Sequence, residues 1–279
     1  MNNKKGSLSI TSENIFPIIK KWLYSDHDIF IRELVSNGCD AITKLKKLDM
    51  MGEYTLPSDF SPKIKVITNP EEKTLTFIDN GLGMTSEEVD EYINQIAFSG
   101  ASDFLTKYKD KTNDDQIIGH FGLGFYSAFM VATEVHIDTL SFREGSTPVH
   151  WECDGGTEYE MTEGTRTQVG TTITLHLNED CLEFANEYRV KEILNKYCSF
   201  MPTEIFLEKE NAPDEFETIE LEEKKDSDKV IETITEDEKE KLKILKRPVP
   251  INETQPLWTK NPSECTDEDY KTFYRKVFH

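Results

Sequence analysis

The sequence predicts an α+β fold in which helices cover one face of a mostly antiparallel sheet, a two-layer sandwich. Three observations lead there. Residues 11–48 repeat apolar side chains at helical spacing, and a second helical pattern runs from about 180 to 200. Between them the runs KIKVIT, KTLTFID, EVHIDT, PVHWE, TEYEM and TTITLHL alternate polar and apolar residues with a period of two. Helices at both ends and alternating strands between them fit one sheet with a single helical layer.

The elements follow in order. Ser12 or Asn14 caps a first helix carrying Ile15, Ile18, Ile19, Trp22 and Leu23. Ser25 or Asp26 precedes a longer amphipathic helix. KIKVIT and KTLTFID, joined by Asn69-Pro70-Glu71-Glu72, form a hairpin. Residues 86–96 are helical again. Residues 98–118 are polar and irregular, and a connection that long in a compact domain is often a functional lid. The glycine-rich stretch 119–124 opens an apolar helix to about Ala132. The remaining strands form an antiparallel meander, and Asp180 caps the last helix.

Near Glu208 the composition changes. Residues 208–243 hold 15 acidic and 7 basic residues and few aromatics, so 208–246 is expected to be a solvated linker. EFETIEL and KVIETI within it have enough β-formers to be edge strands instead. The proline-rich segment 247–279 ends in one short helix and reads as the truncated start of a second domain.

The whole chain has 279 residues, with 53 acidic against 32 basic and a net charge of −21. Such a surface repels nucleic acid and anionic lipid, which argues against a general DNA-binding role and a polybasic membrane anchor. The cysteines at 39, 153, 181, 198 and 265 form no C-x-x-C pair and read as reduced thiols. MNNKKGSLSITSENIF has no apolar stretch after its lysines, so no signal peptide is expected. The longest nearly apolar run, 121–133, is shorter than the roughly 20 residues a bilayer span needs. A cytoplasmic protein is expected.

Four constellations carry chemistry. In FIRELVSNGCDA, residues 30–41, Glu33, Asn37 and Asp40 fall on one side of a helix, away from Leu34, Val35, Ile42 and Leu45. A solvated polar face would look similar, but a mid-helix asparagine is a mediocre helix former, and its amide oxygen is a hard ligand suited to Mg²⁺. A carboxylate one turn away can orient a water as general base. IDNGLGM, residues 78–84, supplies an acceptor-only carboxylate at a strand end beside two glycines; Asp-Asn-Gly alone is usually a turn. GHFGLGF, residues 119–125, aims backbone N–H groups at an anion, yet lacks the Gly-Lys-Ser/Thr of a Walker A loop and the preceding strand of a Rossmann fingerprint. VGTTITLHL, residues 169–177, is a strand opened by Gly170 and Thr171.

Each motif is weak alone, but their order and spacing together resemble the Bergerat-type ATPases, the superfamily joining gyrase, the ninety-kilodalton heat-shock proteins, histidine kinases and the MutL repair proteins. ENIFPIIKKWLYSDHDIFIRELVSNGCDAITKLKKL, IDNGLGMT, IAFSGASDFL, IGHFGLGFYSAFMVA, GTTITLHL and LWTKNPSECTDEDYKTFY resemble bacterial members of the heat-shock protein 90 family across nearly the whole chain.

The resemblance implies an ATP-dependent chaperone that binds ATP or ADP with Mg²⁺. It implies an ATP-binding domain over 1–207 with a lid over about 98–124, a charged linker over 208–246, and the start of a middle domain over 247–279. By the same resemblance Glu33 activates the attacking water and Arg32 restrains Glu33 at rest. Asn37 is the protein ligand to Mg²⁺, and Asp40 lines the pocket. Asp79 accepts from the adenine amine, Gly83 and Thr171 assist through water, and Met84 packs on the base. Gly119, Gly122 and Gly124 cradle the phosphates and Phe125 lines the pocket. Phe98 stands where the family often has a lysine that reaches the phosphates. The family's catalytic arginine and dimerising domain lie in later domains. The resemblance therefore implies client proteins as partners, a homodimer for the full-length protein, and a weakly hydrolysing monomer for this chain. A DNA-acting ATPase of the gyrase or mismatch-repair type is the alternative; the acidic charge and the LWTKNP segment argue against it.

Overall fold

A computed structural model describes residues 26–95, 118, 124–156, 158–236 and 239–278. The first expected helix, Phe98, Gly119, Gly122 and nearly all of the expected lid lie outside the described residues.

The long helix is α1, Ile29–Met50. The strands β1 (Lys63–Asn69) and β2 (Thr74–Asp79) form the expected hairpin, with Ile64 opposite Asp79 and Asn69 opposite Thr74. Helix α2, Ser86–Tyr92, starts at Thr85, whose Oγ1 accepts from Glu88 N at 3.3 Å while Glu88 Oε2 accepts from Thr85 N at 2.9 Å. This reciprocal cap satisfies two otherwise orphaned donors. Strands β3 (Ala132–Leu140), β4 (Val149–Cys153), β5 (Glu160–Glu163) and β6 (Gly170–Leu177) follow, then helix α3, Glu187–Cys198, and β7, Glu204–Lys209.

These strands make one sheet in the order β5-β4-β3-β6-β2-β1-β7. All neighbours are antiparallel except β1 and β7. The strands β3, β4 and β5 are a meander as expected, but β6 returns past it to lie between β3 and β2. That placement sets Asp79 of β2 beside Thr171 of β6, and Thr171 beside Thr139 of β3.

The core lies between this sheet and the helices. Ile64, Val66, Leu75, Phe77, Val135, Ile137 and Leu175 point inward on alternate strand positions, and α1 lays Phe30, Ile31, Leu34, Val35, Cys39 and Ile42 over them. Phe30 packs edge-on against Phe184 at 5.0 Å and Phe77 at 6.4 Å. Each such buried side chain stabilises the fold by about 1.5–3 kcal/mol relative to exposure, so the sheet and α1 hold each other in place.

Three local expectations are corrected. The stretch after the glycines is a 3-10 helix, Gly124–Met130, in which Ser127 Oγ donates to Gly124 O at 2.5 Å. Every residue after Gly124 is buried, so there is no apolar stripe to mark an α-helical period. Asp180 does not cap the last helix: a 3-10 turn, Glu179–Ala185, intervenes with a kink at Cys181, and Asn186 accepts from Tyr188 N and Arg189 N. Finally, the described residues of 208–246 are not irregular: they hold strands, the alternative that EFETIEL and KVIETI left open. Strands β8 (Phe216–Glu220), β9 (Val230–Glu236) and β10 (Lys239–Leu245) form a separate antiparallel sheet in the order β8-β10-β9. Its small buried core is Ile219, Leu242 and Ile244, and most of its other positions are exposed. Arg247 fastens the end of β10 to Asp228 with bonds of 2.7 and 2.8 Å, holding that carboxyl well below the usual carboxylate range.

The segment after 247 docks on the large sheet. Buried Asn252 accepts from Ile205 N at 2.8 Å and donates to Met201 O at 2.9 Å and Thr203 O at 2.8 Å. Trp258 and Phe273, the latter on helix α4 (Asp267–Val277), close on Phe200 at 4.7 and 5.8 Å.

All five cysteines are free thiols, and burial pushes Cys39 and Cys198 up to about 12, so they are inert core residues. Among the described residues no helix is long and apolar enough to cross a membrane.

Candidate functional site

The site forms where α1 crosses the end of β2. Gly38 makes the crossing possible: a Cβ there would lie 3.1 Å from Ile64 Cδ1 and 3.3 Å from Asp79 Cβ. Glycine inside a helix costs about 1 kcal/mol relative to alanine, and here it lets the helix backbone sit against the strand that carries Asp79. Asn37, half-buried, and Asp40, buried, lie on either side of Gly38 along this helix.

Asp79 is an inward-facing carboxylate at the end of an apolar strand. Its Oδ1 accepts from Gly81 N at 2.8 Å. Burial raises its pKa to about 6, opposed by the hydrogen bond from Gly81, the charge of Arg166 and the backbone of Thr171. Raised pKa values of this kind cluster at functional sites.

The floor beside it is a row of polar groups across three strands. Thr139 and Thr171 share a hydrogen bond of 3.0 Å between hydroxyls; Thr139 Oγ1 also accepts from Met84 N at 3.0 Å and lies 3.2 Å from Gly170 O. The chain from Asp79 to Met84 is thus pinned to β3 and β6. Gly83 has φ +62°, and a Cβ on it would meet Leu140 O at 1.9 Å, so only glycine fits there.

Earlier on α1, Glu33 stands between Arg32 and Gly124. Arg32 Nη2 and Nε donate to Glu33 Oε1 at 2.5 and 3.2 Å. The other carboxylate oxygen faces Gly124, where a Cβ would come within 2.6 Å of it. Any side chain at 124 would displace Glu33. Phe125 follows, buried, with its ring edge-on to Trp151 at 5.9 Å. Asp40 Oδ1 accepts from Ile118 N at 2.8 Å, tying α1 to the chain that leads toward Gly124.

The structure therefore brings Asp79, Gly83, Met84 and Thr171 together at the ends of β2, β3 and β6, sets Gly124 against Glu33 of α1, and carries Asn37 and Asp40 on the same helix. Gly119 and Gly122 lie outside the described residues. Thr139, Arg166 and Lys44 were missed in the sequence. Thr139 had a signal: it takes an inward slot in the alternating pattern of β3, where an apolar residue is expected. Arg166 had none, since it comes from an irregular segment. It donates to Asp79 O at 3.2 Å, to Gln168 O at 2.9 Å and to Thr172 Oγ1, clamping the end of β2 to β6. Lys44 lies one turn beyond Asp40; burial lowers its pKa, and Asp40 and Glu88 oppose that.

The donor set separates into two chemistries. Asp79 offers a carboxylate acceptor beside the hydroxyls of Thr139 and Thr171, which suits a flat molecule carrying an N–H donor. Glu33 and Asn37 offer hard oxygens beside a glycine. Residues 25–191 match a family described as histidine kinase-, DNA gyrase B- and HSP90-like ATPase.

The chain belongs to the Hsp90-like ATPases.

Residues 183–279 of this Hsp90-like chain match a second family described as Hsp90 protein. Among similar proteins, a chaperone protein HtpG of Bacteroides thetaiotaomicron is 49% identical over 276 residues, covering 99% of this chain and 36% of its own length. One from Porphyromonas gingivalis is 44% identical over 276 residues, with the same coverage of both. One from Escherichia coli is 38% identical over 259 residues, covering 92% of this chain and 37% of its own length. The chain thus spans little more than a third of these relatives. The mostly antiparallel sheet with helices on one face fits the Hsp90-like ATPase fold expected from the sequence.

Proposed function

We propose that this site binds adenine nucleotide and that the longer protein of which this chain forms part is an ATP-dependent chaperone. The observation that carries the reading is Asp79: a desolvated carboxylate acceptor beside Gly81 and Thr171, with Arg166 bonded to its backbone. In this reading the Asp79 carboxylate accepts from the adenine amine. Met84 and Phe125 supply apolar contact, and the Thr139–Thr171 pair and Gly83 shape the floor. The phosphates then extend toward Gly124, joined by Gly119 and Gly122.

The residues present fit Mg²⁺. The Asn37 amide oxygen is a hard donor, and among the described residues no hydrogen bond competes for it; Mg²⁺ is commonly held by one or two protein oxygens plus phosphates and water. When bound, Mg²⁺ would neutralise charge on the phosphates. Glu33 Oε2, facing Gly124, is placed to take a proton from a water there. The ion pair of Arg32 with Glu33 Oε1 stabilises the charged carboxylate and weakens it as a base. Arg32 thus acts as a restraint that conformational change must relieve. Client proteins are the partners in this reading, with a homodimer for the longer protein, a monomer for this chain, and a cytoplasmic setting.

Glu33→Ala in the longer protein tests the role. ADP affinity is expected to stay within about threefold while ATP turnover falls on the order of 10²–10⁴-fold. Turnover at the parent rate removes Glu33 from the mechanism, and stimulation of turnover by DNA rather than by unfolded protein overturns the chaperone reading.

A further inference from the structure

The outward face of the large sheet, opposite the nucleotide pocket, carries a second cluster. Glu134, His136 and Asp138 alternate along β3 with the buried Val135, Ile137 and Thr139. On β4, His150 and Glu152 alternate with buried Val149, Trp151 and Cys153. His176 of β6 lies on the far side of β3. The register sets His136 opposite Glu152, Asp138 opposite His150, and Glu134 opposite His176. Three imidazoles and three carboxylates from three adjacent strands therefore share one patch of sheet.

The contacts inside the patch are directional. His150 Nδ1 lies 2.8 Å from Asp138 Oδ1, a contact that favours a proton on Nδ1, so that a cation would take Nε2. That Nε2 lies 3.3 Å from Glu152 Oε2. The same Glu152 oxygen lies 3.7 Å from His136 Nε2, which is also 2.9 Å from Glu134 Oε1. The ring of His176 packs against His136 at 4.7 Å between centroids. The ligand atoms of His136, His150 and Glu152 all lie within 4.8 Å of one another.

We propose that His136, His150 and Glu152 form a binding site for a borderline divalent cation of the zinc class. The carboxylate–imidazole pair formed by Asp138 and His150 is the arrangement that orients a metal-binding histidine and raises its basicity. A tetrahedral zinc with bonds near 2.0–2.1 Å needs donors about 3.3 Å apart; Glu152 Oε2 is already 3.3 and 3.7 Å from the two Nε2 atoms, and the remaining pair, within 4.8 Å, needs a contraction of at most about 1.5 Å, which half-exposed side chains can make by small rotations. Each of these two imidazoles has a carboxylate of its own, His136 with Glu134 and His150 with Asp138; the Glu152 oxygen lies near both Nε2 atoms in addition, where a cation would bridge them. Two nitrogens and one oxygen select zinc, nickel or cupric ion over Mg²⁺ and Ca²⁺, which prefer all-oxygen shells. Glu134 or water fills the fourth position. Because the ligands come from β3 and β4, the cation would staple two adjacent strands of the sheet that supports the pocket.

The site is tested by equilibrium dialysis of the tag-free chain against ZnCl₂ at pH 7.5. The expected result is one zinc per chain in a Cys265→Ser background, which removes the one cysteine that is not buried. Affinity is expected to fall at least tenfold in His150→Gln and further in the His136→Gln/His150→Gln double variant. Zinc is expected to raise the Tm of the parent and not of the double variant, whose zinc-free Tm shows whether it folds. Co²⁺ in place of zinc is expected to give d–d absorption without thiolate charge-transfer bands. No stoichiometric zinc in the parent, or equal zinc in the folded double variant, overturns the proposal.

Discussion

Asp79→Asn separates stability from binding because the two should move in opposite directions. Burial raises the Asp79 carboxyl to about 6, against about 3.9 in an unfolded chain. The folded state therefore holds this proton more tightly than the unfolded state. The stabilising contribution is full below about pH 3.9 and is lost as pH rises from there to about 6. Above pH 6 the ionised group costs the nucleotide-free fold at most about 3 kcal/mol, two pKa units at 1.36 kcal/mol each. At pH 5 roughly half of that cost remains. Asparagine keeps an amide oxygen for the N–H of Gly81, 2.8 Å away in the parent, and never ionises. The variant should melt higher than the parent at pH 7.5 by up to about 6 °C, and by about half as much at pH 5. Differential scanning calorimetry without nucleotide reads this directly. A variant that melts lower than the parent at pH 7.5, by an amount independent of pH, would refute the reasoning that Asp79 is a desolvated charge held for a ligand.

Two other substitutions test the scaffold. Gly83→Ala places a methyl 1.9 Å from Leu140 O at a left-handed backbone angle; the conformational cost alone is about 1–2 kcal/mol, and thermal melting should fall by more than about 4 °C. An unchanged Tm would mean that the Asp79–Met84 turn is not fixed against β3. Asn252→Ala leaves Ile205 N–H and two carbonyls without partners, an expected loss of about 1–3 kcal/mol. Hydrogen exchange should then speed up in β7 and not in β3; equal protection in both strands of parent and variant would show that the later segment is not held by this residue.

The layers and most strands were legible because their side chains alternate or repeat with the period of the element. Val135 and Ile137 on β3 name the inward face without help from the rest of the chain. The placement of β6 between β2 and β3 was not legible, since pairing partners are set by the three-dimensional packing of whole faces. The strands β8 to β10 were masked by charge: Glu217, Glu232, Lys241 and Lys243 dominate the composition, while the core they protect is only Ile219, Leu242 and Ile244. Of the proposed site, the placement of Glu33, Asn37 and Asp40 on one helix followed from helical spacing, and that of Asp79 at a strand end from the alternation of β2. Arg166 could not, because an arginine in an irregular segment gains meaning only when folding brings it to the carbonyl of Asp79.

Calorimetric titration of ADP into this chain at pH 7.5, with and without Mg²⁺, tests the central claim most directly when parent and Asp79→Asn are compared. The adenine amine would lose its charged acceptor in the variant, a mismatch of about 1–3 kcal/mol. Affinity is therefore expected to fall about 5- to 150-fold in the variant, while the variant melts above the parent at this pH. ADP binding of equal strength in the two proteins would contradict the assignment of this pocket to adenine nucleotide.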